Sequence, residues 1–435
     1  MVGKIRYLIE RKNISEEDIL CISFTRDASE NLEKNIKKNY NYNIKVYTFH
    51  KLALEILKNK KLSISQLDTL SYIVDEYFYS IIYNNKDMIL RVKKILNKVD
   101  TPYKYILKSK ELVSLKRLII TFINLFKTNN YKIDYFLKIK KYKDVISIII
   151  DIYYLYEEEL RSTKSIDFND MIVQATQYVK NNNIKNYKYI IVDEYQDTSY
   201  VRYLFLKEII NKTKAKIICV GDDYQSIYRF NGCDLNMFLN FKKYFGYTKV
   251  LKINNTYRNS QELINVAGSF IMKNKRQLYK KLKSDKHIKK PIKIMYGNNL
   301  QKSINKILLN HKKILILGRN NFDINKYFKI DSNGYINDNI RYLTIHASKG
   351  LEEECVVIIN LKDDILGMPN KIKDDKVLKY VIKNKDIYPY EEERRLFYVA
   401  LTRTKSDVYL LVDKKNTSIF VKELIRDYSK YIEYI

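Results

Sequence analysis

Short apolar runs alternate with amphipathic stretches along most of the chain. Near the start, "ILCISFT" (19–25) precedes the helix-like "DASENLEKNIKK", and "IKVYTFHKLALEIL" repeats the same order. A short apolar run that ends in polar residues is typical of a buried strand, and strands that alternate with helices predict parallel sheets. Further strands are predicted at 187–193, 215–223, 313–320, 340–348, 355–361 and 407–413.

The stretch between residues 56 and 164 has a different pattern. It is rich in Lys, Tyr and Ile, follows a helical periodicity and shows no clear strand alternation. Because strands resume after it, it predicts a helical insertion into the first sheet domain. The expected fold class is α/β, with two parallel-sheet cores. The predicted division is 1–55 with 165–257 for the first core, 56–164 for the insertion and 258–435 for the second core.

The charge balance makes a polyanion the leading class of partner. Lys and Arg number 80 against 50 Asp and Glu, for a net charge of +30. An alternative stays open, because Lys, Asn, Ile and Tyr are abundant everywhere, as a base-composition bias of the gene would produce. The cysteines show neither metal-ligand spacing nor a disulfide framework, and neither a signal peptide nor a membrane-spanning run is evident, so a cytoplasmic location is expected.

Two predicted strands end in residues suited to a nucleotide and its metal. "YIIVDEYQDT" places Asp193 and Glu194 at the carboxyl end of a strand, which is the edge where open α/β sheets bind ligands. One carboxylate there can hold magnesium, and the second can orient an attacking water. In "ICVGDDYQSIYRFNG" another apolar strand ends with Asp222, Asp223 and Gln225, and the amide of Gln225 can sense a terminal phosphate. The alternative interpretation is an acidic pair that only caps a strand.

Arginines at helix ends are candidates for contacts to a transferring phosphoryl group. Arg258 stands just before a predicted helix, and Arg403 follows an apolar helical stretch. Arginine side chains can stabilise the charge that develops on such a group. A surface salt bridge is the alternative role for each arginine.

Hydroxyl, aromatic and basic residues at other strand ends suit a single-stranded nucleic acid. "SFTRDAS" (23–29), "YTFHKLA" (47–53) and "TIHASKGLE" (344–352) have this composition. Backbone N–H groups, hydroxyls and lysines there can follow phosphates, while Phe24 or Phe49 supports a base. The pattern around Tyr228 and Phe230 also offers aromatic faces for stacking, with core packing as the alternative role. These segments suggest a nucleic-acid track.

Taken in order, these segments resemble the motifs of superfamily 1 DNA helicases of the UvrD/Rep/PcrA type. "CISFTRDASENL" and "VYTFHKLALEIL" are similar to the two early strand-contacting motifs, and "IDFNDMI" to the segment before the magnesium motif. "VDEYQDTS" and "VGDDYQSIYRFNG" match the second and third motifs. "TYRNS", "TIHASKGLE" and "VALTRTK" match the fourth, fifth and sixth. The run from "VGDDYQSIYRF" to "TYRNSQELINVAGSFIMKN" looks closest to the helicase IV branch.

The resemblance covers roughly residues 4–412 and implies two RecA-like cores with ATP between them. It also implies ATP-driven movement along single-stranded DNA, or DNA with a 3′ single-stranded tail, in the 3′ to 5′ direction. By motif position, Asp193 coordinates Mg²⁺ and Glu194 activates water. The residues implied to contact the terminal phosphate are Gln225, Arg258 and Arg403, and Glu352 lies near the ribose or the core interface. The residues implied to line the DNA track are Thr25, Phe49, His50, Tyr228, Phe230, Thr344 and His346.

One motif of this family is missing from the sequence. A phosphate loop needs G-x-x-x-x-G-K-[ST], and the only Gly followed by Lys is Gly3-Lys4, with Ile5 in the place of the hydroxyl residue. In the family, the loop leads into a helix similar to "KIRYLIERKNISEEDIL", so the chain is expected to begin just after the loop. The amides and lysine of that loop hold the phosphates, so the chain alone is expected to hydrolyse ATP poorly or not at all.

Three explanations for the missing loop stay open. They are a gene split or frameshifted near its start, a misassigned start codon, and a degenerate remnant, and the intact state of the other motifs favours the first two. A possible partner is therefore an upstream polypeptide that carries the loop. The alternative functions are a single-stranded DNA-binding protein without turnover and an inert gene product. Residues 275–339 leave little room for the large accessory domain of UvrD-type enzymes.

Overall fold

The computed structural model describes residues 1–58, 63–137, 139–297, 299–383 and 386–435. The chain groups into two compact units. The first comprises Met1–Gly221, Phe230–Asp234 and Asp374–Lys385, and the second comprises Asp222–Arg229, Leu235–Lys373 and Asp386–Ile435. Parts of the predicted helical insertion, residues 59–62 and 138, lie outside the described residues. The α/β class is confirmed, while the predicted domain boundaries stay a prediction.

In the part of the chain that the structure describes, the first unit contains a four-stranded parallel sheet and a small two-stranded one. Its strands are β1 (Ile19–Ser23), β2 (Val46–Thr48), β3 (Ser63–Ile64), β4 (Ser165–Ile166), β5 (Tyr189–Val192) and β6 (Lys216–Cys219). The larger sheet has the order β2-β1-β5-β6, and β3 pairs with β4. All residues of β1 are buried, as expected for a strand covered on both faces.

Helices of the first unit flank the sheet and fill the predicted insertion. They are α1 (Val2–Lys12), α2 (Arg26–Tyr40), α3 (Phe49–Ile56), α4 (Thr69–Glu76), α5 (Lys86–Ile95), α6 (Tyr103–Ile106), α7 (Lys110–Thr128), α8 (Asp134–Leu137), α9 (Lys143–Ser162), α10 (Phe168–Asn181) and α11 (Tyr200–Thr213). Helices α4 to α9 share a hydrophobic core, as the helical pattern predicts. A later segment joins that core through Val377, Leu378 and Val381, which the sequence pattern did not indicate.

Hydroxyl side chains begin two helices that directly follow strands. The Thr25 hydroxyl accepts a hydrogen bond from the backbone N–H three residues later, at 3.2 Å, and so caps α2. The Thr48 hydroxyl caps α3 in the same way, also at 3.2 Å. Such caps satisfy N–H groups that have no partner within the helix. The polar residues at these strand ends therefore direct the chain from strand to helix.

The second unit contains a seven-stranded sheet among the described residues. Its strands are β7 (Ile292–Tyr296), β8 (Ile314–Gly318), β9 (Tyr335–Asn337), β10 (Ile340–Thr344), β11 (Cys355–Ile358), β12 (Val408–Val412) and β13 (Ile432–Tyr434). The order is β13-β7-β12-β11-β8-β10-β9, and the pairing is parallel except between β9 and β10. Its helices are α12 (Leu235–Leu239), α13 (Phe241–Phe245), α14 (Gln261–Ile271), α15 (Leu300–Leu308), α16 (Glu391–Leu401) and α17 (Ile419–Tyr428).

Both faces of the second sheet are covered by apolar side chains. Alternate residues of β8 belong to different cores: Leu315 and Leu317 lie in one, Ile314 and Ile316 in the other. Successive side chains of a strand point to opposite faces, so a strand buried on both sides is apolar throughout.

The predicted strands β8, β10, β11 and β12 of the second unit are confirmed. Three strands, β7, β9 and β13, were missed, because they are short or lie beside charged residues and carry no long apolar run. In the described part of the chain, none of the helices has the length and apolar character required to cross a bilayer.

Candidate nucleotide and nucleic-acid sites

The acidic pair predicted to serve a nucleotide directly follows β5. The backbone N–H of Asp193 donates to the carbonyl of Ile22 at 2.9 Å, so pairing with β1 continues one residue past the strand. Glu194 has a φ of +50°, a left-handed conformation that is uncommon for residues other than glycine. Residues Tyr195–Asp197 then form a buried 3₁₀ turn. The chain therefore leaves the extended conformation of β5 at Glu194. Asp193 precedes this point, and the buried turn follows it.

The protonation chemistry of this pair fits a bound divalent cation. Burial raises the pKa of Asp193 to about 6, and the carboxylate of Glu194 adds to the increase. A nearby positive charge would reverse this effect. Mg²⁺ typically takes one or two carboxylates together with substrate phosphates and waters. Over the described residues, no group of three or more His, Cys, Asp or Glu could hold a metal.

An arginine lies against the aromatic residues that follow β1 and β2. The Arg202 guanidinium is 4.4 Å from the ring centre of Phe24 and 5.8 Å from that of Phe49. Phe49 is 2% exposed, whereas Phe24 is half-buried and Thr25 is exposed. Phe49 is therefore a core residue in this structure, and Phe24 is the ring nearer to solvent. Arg202 was missed, because one arginine in an apolar helical stretch matches no motif.

His50 and Phe230, the other predicted DNA contacts of the first unit, differ in exposure. The His50 ring is half-buried, with the Phe168 ring edge-on at 5.0 Å. Burial, followed by the positive charge of Arg202, lowers the pKa of His50 to about 4. At neutral pH this imidazole is uncharged and offers hydrogen bonds rather than a positive charge. The Phe230 side chain is 52% exposed.

The second unit brings two predicted phosphate contacts together. Arg403 Nη2 donates to Gln225 Oε1 at 3.2 Å across 178 residues of sequence. The same guanidinium donates through Nε to the carbonyl of Val399 at 3.1 Å and through Nη1 to that of Leu351 at 3.2 Å. Arg403 is 1% exposed. Backbone acceptors therefore fix the guanidinium beside the amide, an arrangement that only the tertiary fold creates.

A second predicted pair lies one residue further along the chain from Leu351. Arg258 Nε donates to Glu352 Oε2 at 2.6 Å, and Lys405 Nζ lies 3.0 Å from Glu352 Oε1. Burial acts to raise the pKa of Glu352, but the hydrogen bonds from Arg258 and Lys405 outweigh it and lower the pKa. Glu352 thus positions two cations. The backbone step from Leu351 to Glu352 links this pair to Arg403.

Two predicted DNA contacts of the second unit are also neighbours. The Tyr228 hydroxyl donates to the carbonyl of His346 at 2.9 Å, and their ring centres are 6.1 Å apart. Lys349 Nζ donates to the carbonyl of Gln225 at 2.7 Å and lies 5.1 Å from the Tyr228 ring centre. Two hydrogen bonds therefore connect the strand-end motif that contains His346 and Lys349 to the segment that contains Gln225 and Tyr228.

Thr344 and His346 have environments that limit what each can offer to DNA. The Thr344 hydroxyl accepts from the backbone N–H of Ala347 at 3.2 Å. Burial, followed by the positive charge of Arg319, lowers the pKa of His346 to about 4. Like His50, it is uncharged at neutral pH. Positive charge in this part of the unit comes from lysine and arginine instead.

Two family models and several known proteins are similar to this chain. A family model described as the UvrD/REP helicase N-terminal domain matches residues 1–246, and one described as the UvrD-like helicase C-terminal domain matches residues 327–415. DNA helicase IV of Escherichia coli (strain K12) is 32% identical over 271 residues, which are 61% of this chain and 40% of that protein.

Two proteins named ATP-dependent DNA helicase Rep extend the comparison. The one from Buchnera aphidicola subsp. Acyrthosiphon pisum (strain APS) is 32% identical over 326 residues, 72% of this chain and 47% of that protein. The one from Buchnera aphidicola subsp. Schizaphis graminum (strain Sg) is 25% identical over 469 aligned positions, 98% of this chain and 68% of that protein. The chain spans less than half the length of the helicase IV and of the first Rep protein.

Proposed function

The chain belongs to the UvrD/Rep helicase family. We propose that it functions as an ATP-dependent DNA helicase or translocase, or as the larger part of one, and that it moves 3′ to 5′ along single-stranded DNA. The observation that carries this proposal is the hydrogen bond from Arg403 to Gln225, 3.2 Å long. It joins the amide that is proposed to sense the terminal phosphate to an arginine of a distant motif. A DNA substrate with a 3′ single-stranded tail and a cytoplasmic location belong to the same proposal.

The proposed reaction transfers the terminal phosphoryl group of ATP to water. Asp193 holds Mg²⁺, which when bound neutralises charge on the phosphate oxygens. Glu194 is proposed to orient the attacking water and accept its proton, a role supported by its place beside Asp193 after β5 and before a buried turn. This assignment is supported by the raised pKa of Asp193, which burial and the Glu194 carboxylate cause, because a site of that kind gains from a cation.

Two arginines of the motifs are proposed to supply positive charge for the reaction. Arg258 and Arg403 contact the terminal phosphate together with Gln225, and they stabilise negative charge that develops during transfer. Pre-organisation supports this role, since carbonyl groups hold Arg403 and Glu352 holds Arg258. Glu352 is proposed to lie near the ribose or the core interface. Because both guanidinium groups are already held in place, they need not rearrange when negative charge develops on the transferring phosphoryl group.

Single-stranded DNA is proposed to contact exposed or half-buried residues at the strand ends of each unit. Phe24 and Phe230 offer aromatic surface, while Thr25 and backbone N–H groups suit phosphates. The other proposed contacts are Phe49, His50, Tyr228, Thr344 and His346. Among these, Phe49 would act through the position of Phe24 and Arg202, because its own ring is buried.

Full turnover is proposed to require a phosphate loop that an upstream segment or separate polypeptide supplies. The sequence contains Gly3-Lys4 followed by Ile5, and no G-x-x-x-x-G-K-[ST]. Backbone amides and the lysine of such a loop hold the β- and γ-phosphates. The residues described above would then act on a nucleotide that the loop retains.

Phosphate release tests this proposal. It should be measured with and without oligo-dT, for the 435-residue chain and for the chain preceded by the residues encoded upstream of its first codon. The extended chain is expected to release phosphate only with DNA, and Arg403→Ala should lower kcat about 10³-fold or more with little change in KM, because the arginine acts on developing charge. Arg426→Ala, at an exposed arginine paired with Asp427, is the matched control. Equal losses in both variants would contradict the role of Arg403.

A second candidate function is single-strand DNA binding without turnover, which the missing phosphate-loop sequence favours. It predicts affinity that falls steeply with salt, because each neutralised phosphate releases counterions. Fluorescence anisotropy of labelled oligo-dT at several salt concentrations measures this. DNA-stimulated phosphate release by the 435-residue chain itself would refute this candidate.

A further inference from the structure

A lysine outside the motifs is connected to the proposed phosphate-sensing amide. Lys280 lies in the loop after α14, with a side chain that is 16% exposed, and its ammonium forms ion pairs with both Asp222 and Asp223. It also lies 4.0 Å from the ring centre of Tyr224. A lysine held by two carboxylates and an aromatic face has a fixed position rather than a solvated one.

Asp223 holds the loop that presents this lysine. Its Oδ2 accepts from the backbone N–H of Leu278 at 2.7 Å and from Gln277 Nε2 at 2.8 Å. Asp223 is fully buried, and a buried carboxylate needs such donors to offset its lost hydration. The loop that carries Lys280 is therefore docked on the Asp222–Asp223 pair by backbone and side-chain contacts, besides the ion pairs.

Asp222 in turn determines how the Gln225 amide is oriented. Asp222 Oδ2 accepts from Gln225 Nε2 at 2.8 Å, which leaves Gln225 Oε1 to accept from Arg403 Nη2 at 3.2 Å. The reversed amide would bring its NH₂ against the guanidinium and its carbonyl against the carboxylate. Both contacts would be repulsive, because an arginine has donors only and an ionised carboxylate has acceptors only.

The charge of Lys280 supports this arrangement. Burial acts to raise the pKa of Asp222, but the ammonium of Lys280, together with hydrogen bonds from Gln225 and the backbone N–H of Tyr224, outweighs burial and lowers the pKa. Without that cation, Asp222 and Asp223 would be two adjacent, largely buried carboxylates, which favours protonation of one of them. A protonated Asp222 can donate to Gln225 Oε1, and this would stabilise the reversed amide.

We propose that Lys280 is a positioning residue, which through Asp222 fixes the orientation of the Gln225 amide and so presents that amide to a terminal phosphate. The final step of this inference rests on the proposed function, whereas the effect of Lys280 on Gln225 does not. Lys280 touches neither the phosphate nor the attacking water in this scheme.

The side-chain amide signals of Gln225, in protein labelled with ¹⁵N-glutamine, test the effect of Lys280 on this amide. Gln225→Glu assigns the signals. Lys280→Met is expected to move both amide proton shifts and to speed their exchange, while Lys280→Arg keeps them near the wild-type values. Lys281→Met, an exposed neighbour with the same charge change, should leave them unchanged. Wild-type Gln225 signals in folded Lys280→Met protein would overturn the proposal.

A second variant and a second measurement distinguish failure of the Lys280 proposal from failure of the proposed function. If Lys280→Met does not fold, Asp222→Asn interrupts the same link with the lysine in place and is expected to move the same signals; unchanged signals would again overturn the proposal. In a chain that releases phosphate, Lys280→Met should lower kcat about 10–100-fold with KM for ATP nearly constant, and Lys280→Arg should restore kcat. If the chain extended by its upstream-encoded residues releases no phosphate with DNA, the proposed function fails, while the amide signals still decide the role of Lys280.

Discussion

The two units each have a carboxylate near the end of a strand, and the two carboxylates have opposite electrostatic environments. In the first unit, Asp193 and Glu194 stand side by side, and burial followed by the charge of Glu194 raises the pKa of Asp193 to about 6. In the second unit, Glu352 is paired with Arg258 and Lys405, and these hydrogen bonds outweigh burial and lower its pKa. One carboxylate would gain from a cation, and the other already holds two.

This difference separates a carboxylate that suits metal binding from one that positions other groups. A raised pKa means that the fold opposes the charge on Asp193, and a bound cation would reverse that effect. A lowered pKa means that the charge of Glu352 is already used to hold neighbouring side chains. Substitutions that remove one charge at a time test whether this distinction is real.

The largest effect on stability is expected at a third site, a cluster of carboxylates in the first unit that surrounds Lys127. Removing this lysine tests how much such a cluster depends on its cation. The Lys127 side chain is 4% exposed and lies 2.5 Å from Glu157, 2.7 Å from Asp167 and 2.6 Å from Asp170. Lys127→Met should lower the free energy of unfolding by about 3–5 kcal/mol, because it leaves one buried and two partly buried carboxylates without their shared cation. Urea unfolding at pH 8 measures the loss.

The same variant has an expected pH dependence. Burial, followed by the charge of Asp167, already raises the pKa of Asp170 to about 6, so protonation at pH 5 should reduce the loss. Lys116→Met is the matched control on α7, because Lys116 pairs at 2.7 Å with Asp75, whose side chain is 59% exposed, and it should cost at most about 1 kcal/mol. Equal losses in the two variants would break the distinction between buried and exposed pairs.

An intermediate effect of the opposite sign is expected for Asp193→Asn. The folded-state pKa of about 6 lies above the unfolded value of about 3.9, so the ionised native state is penalised at pH 8. The variant should therefore raise the free energy of unfolding by about 1–3 kcal/mol at pH 8. Below about pH 4, both states of the wild type are protonated, and the gain should disappear.

Urea unfolding of wild type and Asp193→Asn across this pH range checks the prediction. Asp18→Asn is the control, because Asp18 lies at the other end of the same sheet and is paired with Lys188 at 2.8 Å. It should give no gain at pH 8. A loss of stability in Asp193→Asn at pH 8 would show that the Asp193 charge is satisfied within the chain, and would remove the argument for a cation.

The smallest effect is expected for Glu352→Gln. Its lowered pKa means that the ionised carboxylate contributes stability above the unfolded pKa of about 4.3, which is lost as pH falls through the folded-state value. The side chain is 39% exposed, so solvent screening limits the loss to about 1 kcal/mol or less at pH 7. Thermal unfolding at pH 7 and pH 3 should show this loss only at the higher pH. A gain at pH 7 would contradict the contrast with Asp193.

Much of the fold followed from the sequence, because apolar periodicity is a local property. Strands such as β8 and β12 are apolar throughout, as burial on both faces requires. The helices between residues 63 and 162 have apolar residues at helical spacing, as burial of one face requires. The motif residues Asp193 and Arg403 were identified in the same way, from order and spacing. Phe49 was assigned to the DNA track by its motif, but its burial could not be read from neighbours in sequence.

By itself, the sequence determined the α/β class, the succession of strand ends and the family to which those motifs belong, because each depends on residues close together in the chain. Only the tertiary structure decided which distant residues meet: Arg403 with Gln225, Lys280 with Asp222, and Lys127 with three carboxylates. Such contacts depend on how strands are ordered and how loops dock. They also decide the pKa of each carboxylate, since burial and neighbouring charge arise only when the chain is folded.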